Sequence, residues 1–220
     1  MSRIAKTIDI KHDAKAGVKT EQRLTQAERT ELSDQRMFDA AVALINERGP
    51  SATKLSDVGV FAGYSRGLAS HRFGSKNNLF DFVVRRVGEF WLEQLKQATD
   101  KQVGFSALEQ AVDQHYQFCV DAPAHLRAFY TLWFESVNAE SELSNTINSI
   151  HQRRFQDVVN WVINDNSIGA EVKREADIIA AQFSASVIGI VYYWLANPEK
   201  LNETKRLHDG LKQTMMRLLK

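Results

Sequence analysis

The sequence predicts an all-α protein, an N-terminal three-helix helix-turn-helix domain followed by a larger helical domain. Three observations carry that expectation. Apolar residues recur three and four positions apart along most of the 220-residue chain, which is the period of an amphipathic helix. No alternating strand-like run follows Trp91, and only Pro123 and Pro198 punctuate that region. The stretch KLSDVGVFAGYSRGLASHRFGSKNNL, residues 54–79, reads as two short helices around a glycine-centred turn with a third helix beginning after it.

Residues 1–30 form a polar arm in which seven Lys/Arg face four acids without apolar periodicity. Such an arm is either a frayed terminus or a basic strap for the backbone or minor groove of DNA. From 31 to 48 the apolar positions Met37/Phe38, Ala41 and Leu44/Ile45 give helical spacing, and Gly49-Pro50 stops the helix. Thr53 is expected to cap a helix over 54–62 that buries Leu55, Val58 and Phe61/Ala62. Gly59 in its middle costs about 1 kcal/mol of helix propensity relative to Ala, which close approach of another backbone would justify. Gly63 suits the left-handed residue of the turn, and Ser65 suits the next N-cap.

The recognition helix is expected over 66–72, with Phe73 anchoring its end and Gly74 terminating it. Ser75 then caps a long helix with Leu79, Phe82/Val83, Val87 and Phe90/Trp91 on one face. Further helices are expected at 106–120, 124–137, 141–164, 171–196 and 202–219. The resulting division is an arm over 1–30, a helix-turn-helix domain over 31–91 and a helical domain over 92–220.

Bulk properties narrow the function. A net charge of +1 is far from a general nucleic-acid coat protein, so DNA affinity must come from a local patch. Between positions 63 and 86 five Lys/Arg face one acid, Asp81. One cysteine, Cys119, excludes an intramolecular disulfide framework. The first residues lack the apolar core of a secretory signal, and the run over 183–196 is too short and mixed for a membrane span. A cytoplasmic protein without a membrane partner is therefore expected. No Gly-rich phosphate loop, nucleophile elbow or Walker motif occurs, so no enzyme activity and no cofactor are expected.

Candidate DNA contacts are Thr53, Ser56, Tyr64, Ser65, Arg66, Gly67, Leu68, Ser70, His71, Arg72 and Lys76. Arg66 lies in the first turn of the recognition helix, where a guanidinium can bond guanine O6 and N7 together. Gly67 permits close approach, and Leu68 either meets a thymine methyl or packs inward. Ser70, His71 and Arg72 face phosphates or flanking bases. Lys76 beside Ser75 joins an ammonium to a helix N-terminus, a setting suited to phosphate. Thr53 and Ser56 can donate to the opposite strand.

Gly49, Thr53, Ala62-Gly63, Ser65 to Phe73, Ser75-Lys76 and Leu79 together resemble the tetracycline-repressor (TetR) family of bacterial transcription regulators. The resemblance covers about sixty residues. It implies a C-terminal ligand-binding and dimerisation domain, a double-stranded operator DNA partner, a small-molecule effector and repression. Where members often carry Thr-Leu-Tyr-Tyr-His-Phe, this chain has Leu68-Ala69-Ser70-His71-Arg72-Phe73. Phosphate contacts from tyrosine hydroxyls are therefore not carried over, and neither is an operator preference.

For the body, the resemblance favours a pocket for a small, mostly apolar molecule. Tyr116, Cys119, Phe129, Tyr130, Trp133, Phe134, Glu135, Trp161, Gln182 and Phe183 are its candidate lining, although such an aromatic concentration also suits ordinary core. A homodimer would read a pseudo-palindrome. Its expected seam is Ala180, Ser184, Val187 and Val191 with Leu207, Leu211, Met215 and Leu218. His115 and Cys119 lie four residues apart on one helical face, but two ligands without a third make no metal site, and His208 shows no ligand spacing. Two other readings stay open: a helix-turn-helix regulator controlled by a protein partner, and, remotely, an all-α enzyme.

Overall fold

The computed structural model describes residues 25–137 and 141–220. The arm expected over 1–30 thus falls outside the described residues up to position 24. Among the described residues the chain forms ten helices and no strand. They are α1 (Gln26–Ala52), α2 (Leu55–Phe61), α3 (Arg66–Phe73), α4 (Lys76–Ala98), α5 (Gly104–Asp121), α6 (Pro123–Ser136), α7 (Glu142–Asn164), α8 (Ala170–Arg174), α9 (Ala176–Ala196) and α10 (Leu201–Leu218). Two compact units result. The first takes the described residues up to Val84 and those of Ala124–Leu143; the second takes Arg85–Pro123 and Ser144–Lys220.

In the first unit, α1 begins earlier than the apolar pattern suggests. Thr25 and Glu28 form a reciprocal capping box: the Thr25 hydroxyl accepts from the Glu28 N–H at 3.2 Å, and the Glu28 carboxylate accepts from the Thr25 N–H at 2.7 Å. This satisfies two donors that a helix start otherwise leaves open. The core face of α1 is Met37, Phe38, Ala41, Leu44 and Ile45, all buried. From α6, His125 stacks on Phe38 at 5.3 Å, and the Asn46 amide donates to the Ala124 carbonyl at 2.8 Å.

The expected stop at Gly49-Pro50 is a break inside α1, which resumes for one turn to Ala52. Thr53 does not cap the following helix. Its hydroxyl donates to the Gly49 carbonyl at 2.9 Å and its N–H to the Pro50 carbonyl at 3.1 Å, so it closes the helix behind it. Lys54 takes the N-cap position of α2 without a side-chain bond. On α2, Val58 and Ala62 are buried as expected, but Phe61 is 60% exposed.

The close approach inferred at Gly59 is present: a Cβ there would lie 2.7 Å from the Ser65 carbonyl oxygen. Gly63 adopts φ +82° and turns the chain into α3. Ser65 occupies the α3 N-cap with no side-chain cap bond, whereas the Ser75 hydroxyl accepts the Asn78 N–H at 3.1 Å and caps α4.

The second unit is built by the later part of α4 with α5, α7, α8, α9 and α10. Trp91, Leu95, Leu108, Val112, Phe118, Val158, Phe183, Val187 and Trp194 make its core. Lys212 of α10 reaches Asp113 of α5 at 2.8 Å and ties those helices at the surface. α9 extends the apolar run to twenty-one residues and is long and apolar enough, by length and composition, to cross a membrane. That corrects the expectation of a run too short for a span. Ala176, Ile179, Ala180, Phe183, Val187, Ile190, Val191 and Trp194 face the unit's interior, as in a core helix.

Candidate nucleic-acid interface

A short helix enters a DNA groove only when one face is fixed to its domain and the other is open. On α3 Ala69 is wholly buried against Gly59 of α2, Leu68 is half-buried, and Ser65, Arg66, Gly67, Ser70 and His71 are exposed. These exposed residues collect hydroxyl, guanidinium and imidazole groups on one short helix around a bare glycine. Tyr64, half-buried, closes the turn beneath the Arg36 guanidinium, 6.0 Å from its ring centre.

The other candidates are engaged inside the domain. Arg72 donates through Nε to Asp34 Oδ1 at 2.8 Å and through Nη2 to Asp34 Oδ2 at 2.6 Å, clamping α3 to α1. The carboxylate raises the Arg72 pKa further, so the clamp stays charged. Lys76 donates to the Pro50 and Ser51 carbonyls at 3.2 and 3.1 Å, neutralising the last carbonyls of α1. Thr53 is buried, and the Ser56 hydroxyl bonds Asp57, which itself pairs with Arg48 at 3.0 Å. No acid occupies the first turn of α4, so its N-terminus keeps a positive end beside Ser75.

This arrangement has a counterpart among known proteins. Residues 38–83, the span from the core face of α1 into α4, match the family model described as bacterial regulatory proteins, tetR family. Over that span the chain is similar to the tetR family. The HTH-type transcriptional regulator BetI of Rhizobium meliloti (strain 1021) is 30% identical over 99 residues, 43% of this chain and 49% of that protein. The chain spans about half the length of the curated relatives it matches. Among solved structures, a transcriptional regulator from Rhodococcus sp. Rha1 superposes with a TM-score of 0.73 at 21% identity, covering 85% of this chain and 96% of that one. A putative transcriptional regulator from Saccharomonospora viridis, in complex with choline, gives 0.72 at 16% identity, with 84% and 96% covered. At such identities the likeness is one of fold.

The residues expected to line a pocket divide between the two units. Phe129, Tyr130, Trp133, Phe134 and Glu135 belong to the first, where Tyr130 stacks on Trp133 at 5.5 Å and meets Phe129 edge-on at 5.2 Å. Tyr116, Cys119, Trp161, Gln182 and Phe183 belong to the second. There, Trp161 and Phe183 line an interior cavity with Trp91, Leu95, Ala111, His115, Arg154, Val158 and Val187. Gln182 is exposed instead. The cavity is closed down to roughly the room of one water.

Its polar groups were not foreseen. The Arg154 guanidinium lies 4.1 Å above the Trp91 ring, and the buried Trp91 indole N–H has no hydrogen-bond partner among the described residues. Trp91 was legible as an apolar stripe position; nothing in the sequence pointed to Arg154. Outside the cavity, sharing Leu95 and Trp161 with it, runs a groove with Lys96, Asp100, Lys101, Arg153, Gln156 and Asp157.

The seam candidates also separate. Ala180, Val187, Val191, Leu211 and Met215 are buried within their own unit, Ser184 is half-buried, and Leu207 and Leu218 are exposed. The exposed residues of α9 are instead Ile178, Ala181, Ala185, Gly189 and Tyr192 along one stripe, the tyrosine 70% exposed, with Asp177, Gln182 and Ala196 beside it. Sequence spacing alone left His208 unassociated, but the fold brings its Nε2 to 2.8 Å from His115 Nδ1 and places Cys119 in the same buried group.

Proposed function

We propose that this chain is a DNA-binding transcriptional regulator that acts as a homodimer. It represses from a pseudo-palindromic operator and leaves it when a small, mostly apolar molecule occupies the second unit. The observation that carries the reading is the open face of α3, with Arg66, Ser70 and His71 outward and Ala69 inward. Arg66 reads guanine from the first turn of that helix. Ser70, His71 and the N-terminus of α4 hold phosphates, while Arg72 and Lys76 stiffen the domain that presents them.

Dimerisation is supported by α9, whose outward Ala181, Ala185 and Gly189 lie between Ile178 and Tyr192. Small residues between larger ones let a symmetry-related helix approach closely, and exposed Leu207 and Leu218 on α10 extend the same kind of surface. The seam is thus shifted from the spacing first read, onto positions that a lone chain leaves in water.

The effector site is the cavity beneath Trp91, Trp161 and Phe183. Its indole N–H and Arg154 favour a ligand carrying one acceptor group on an apolar body. The Saccharomonospora viridis regulator of similar fold is in complex with choline, which supports a small-molecule site. A ligand must prefer the DNA-incompetent arrangement, since equal affinity for both states shifts nothing. The tightness of the cavity favours a second reading, control by a protein partner with the aromatic residues as plain core.

Binding of the full chain to its own upstream DNA, measured across a salt series, tests the proposal. Affinity should fall steeply with salt, and Arg66→Ala should abolish the preference for that DNA over random duplex. Equal affinity for both duplexes in the unmodified protein overturns the reading. A thermal-shift screen of small amphiphiles separates the two modes of control: stabilisation lost in Trp161→Ala supports the effector, and none across the screen supports the partner.

A further inference from the structure

His115, Cys119 and His208 come from two helices of the second unit, and one ligand atom from each falls within 4.8 Å of the others. His115 and Cys119 are one turn apart on α5, and His208 faces them from α10. All three are wholly enclosed, the two histidines among the most completely buried large side chains of the described residues. Such a group of nitrogen and sulfur donors is uncommon in an otherwise apolar helical core.

The hydrogen bonds fix how the donors point. A carbonyl only accepts, so the 2.7 Å bond between His208 Nδ1 and the Thr204 carbonyl oxygen places a proton on Nδ1. The Nε2 lone pair of His208 is thereby aimed at His115 Nδ1, 2.8 Å away. An imidazole whose far N–H is held by a backbone carbonyl is the arrangement that orients metal-binding histidines.

We propose that His115, Cys119 and His208 bind a single Cu(I) ion. The reasoning is charge and coordination number. Two neutral imidazoles and one thiolate around a monovalent cation sum to zero, which a sealed core tolerates. A divalent ion in the same place leaves a net positive charge, and no carboxylate belongs to the group. Thiolate sulfur is a soft donor suited to Cu(I) and imidazole nitrogen also binds copper; Cu(I) is satisfied by three ligands, whereas closed zinc sites take four.

Loading displaces two protons from the coordinating atoms. The Cys119 thiol proton leaves to solvent, and the His115 Nδ1 proton is exchanged for one on Nε2. No electrons move. The nitrogen pair, 2.8 Å apart, has to open by about half an ångström, and the sulfur, up to 4.8 Å from a nitrogen, has to close by about an ångström, to hold an ion at bonding distance. The bound ion cross-links α5 to α10 independently of DNA contact; His115 also borders the cavity beneath Trp91, but copper uptake is read without DNA or effector.

The test is anaerobic competition between the full-length protein and a coloured Cu(I) chelator, with copper added to folded protein and also during refolding. The unmodified chain should withdraw one equivalent by at least one route. X-ray absorption of the loaded protein should show one sulfur and two nitrogens around copper. Cys119→Ser and His208→Gln, each checked for native helix content and cooperative melting, should lose at least about tenfold in affinity. If either variant fails to fold, the absorption spectrum of the unmodified protein decides alone. No copper taken by either route, a two-sulfur shell from thiols of different chains, or a full equivalent retained by folded Cys119→Ser overturns the proposal.

Discussion

Asp34 and Arg72 are joined by two parallel hydrogen bonds of 2.8 and 2.6 Å, and the carboxylate is largely buried while the guanidinium is about half exposed. The last polar residue of α3 is thus anchored to α1, which fixes the angle at which the open face of α3 is presented. Asp34→Ala and Arg72→Ala should each destabilise the protein by about 1–2 kcal/mol in urea unfolding, with coupling in the double variant of about 1 kcal/mol. Both should weaken DNA binding to a similar extent. A loss confined to Arg72→Ala would make that guanidinium a direct DNA contact.

Arg66 and Lys76 should separate cleanly. Arg66→Ala should lose about 1–3 kcal/mol of discrimination at one base position while leaving the melting temperature unchanged. Lys76→Met removes donors from the Pro50 and Ser51 carbonyls and should lower the melting temperature instead. Its salt slope of DNA binding should change by less than the one unit expected of a phosphate-bound lysine. Fluorescence anisotropy over a salt series checks both variants.

Gly59→Ala places a methyl carbon 2.7 Å from the Ser65 carbonyl oxygen, below any normal contact. The helix-propensity gain of about 1 kcal/mol does not compensate a backbone displaced at the turn. The variant should be destabilised by about 1–2 kcal/mol net and should bind DNA less tightly, because α3 is pushed away from α2. Thermal melting and the same anisotropy assay check it.

Burial lowers the His125 pKa below its ordinary value where the ring stacks on Phe38. The unfolded chain therefore takes up the proton more readily than the folded one. The stability at stake is fully present above the unfolded pKa of about 6.5 and is lost as pH falls below it. His125→Phe, which keeps the stack, should flatten that acid-side loss relative to the unmodified protein. Urea midpoints at pH 7.5 and 5.5 measure it.

The outward face of α9 should govern assembly. Ala185→Glu or Gly189→Glu should convert a dimer to a monomer by sedimentation and reduce affinity for a two-half-site DNA far more than for one half-site. Val187→Ala, a substitution in the interior, should cost stability without changing mass. A monomeric unmodified protein at micromolar concentration would sink the seam.

Much of the first unit was legible because its constraints are local. Gly59, Gly63 and Ser75 each announce a backbone requirement that their neighbours confirm, and the structure meets all three. The Thr25–Glu28 box was equally local but lay in a stretch read as polar arm. Thr53, Arg72 and Lys76 were harder, because a short polar side chain beside a helix end serves the element before it as readily as the one after. Whether a guanidinium meets DNA or Asp34 is decided 38 positions away.

The second unit gave up less. A helix with apolar residues on every side, as α9 has, carries little period from which to choose its inward face, so the stripe of Ala180, Val187 and Val191 was as good a seam as its opposite. His208 joined His115 from 93 positions away, and Arg154 reached Trp91 from another helix; neither pairing leaves a spacing to read. Aromatic residues were found in number, but only Trp161 and Phe183 of the expected lining border the interior cavity.

The two-sided apolarity of α9 has a consequence for how much of this protein a cell can keep. In the proposed dimer its outer face is covered only when two chains meet, so the folded state gains stability with its own concentration. If the chain dimerises as proposed, a newly made copy at low concentration presents Ile178 and Tyr192 to chaperones and proteases until it pairs. Abundance of that dimer would then respond to synthesis more steeply than in proportion, which would sharpen the threshold at which the proposed operator is filled.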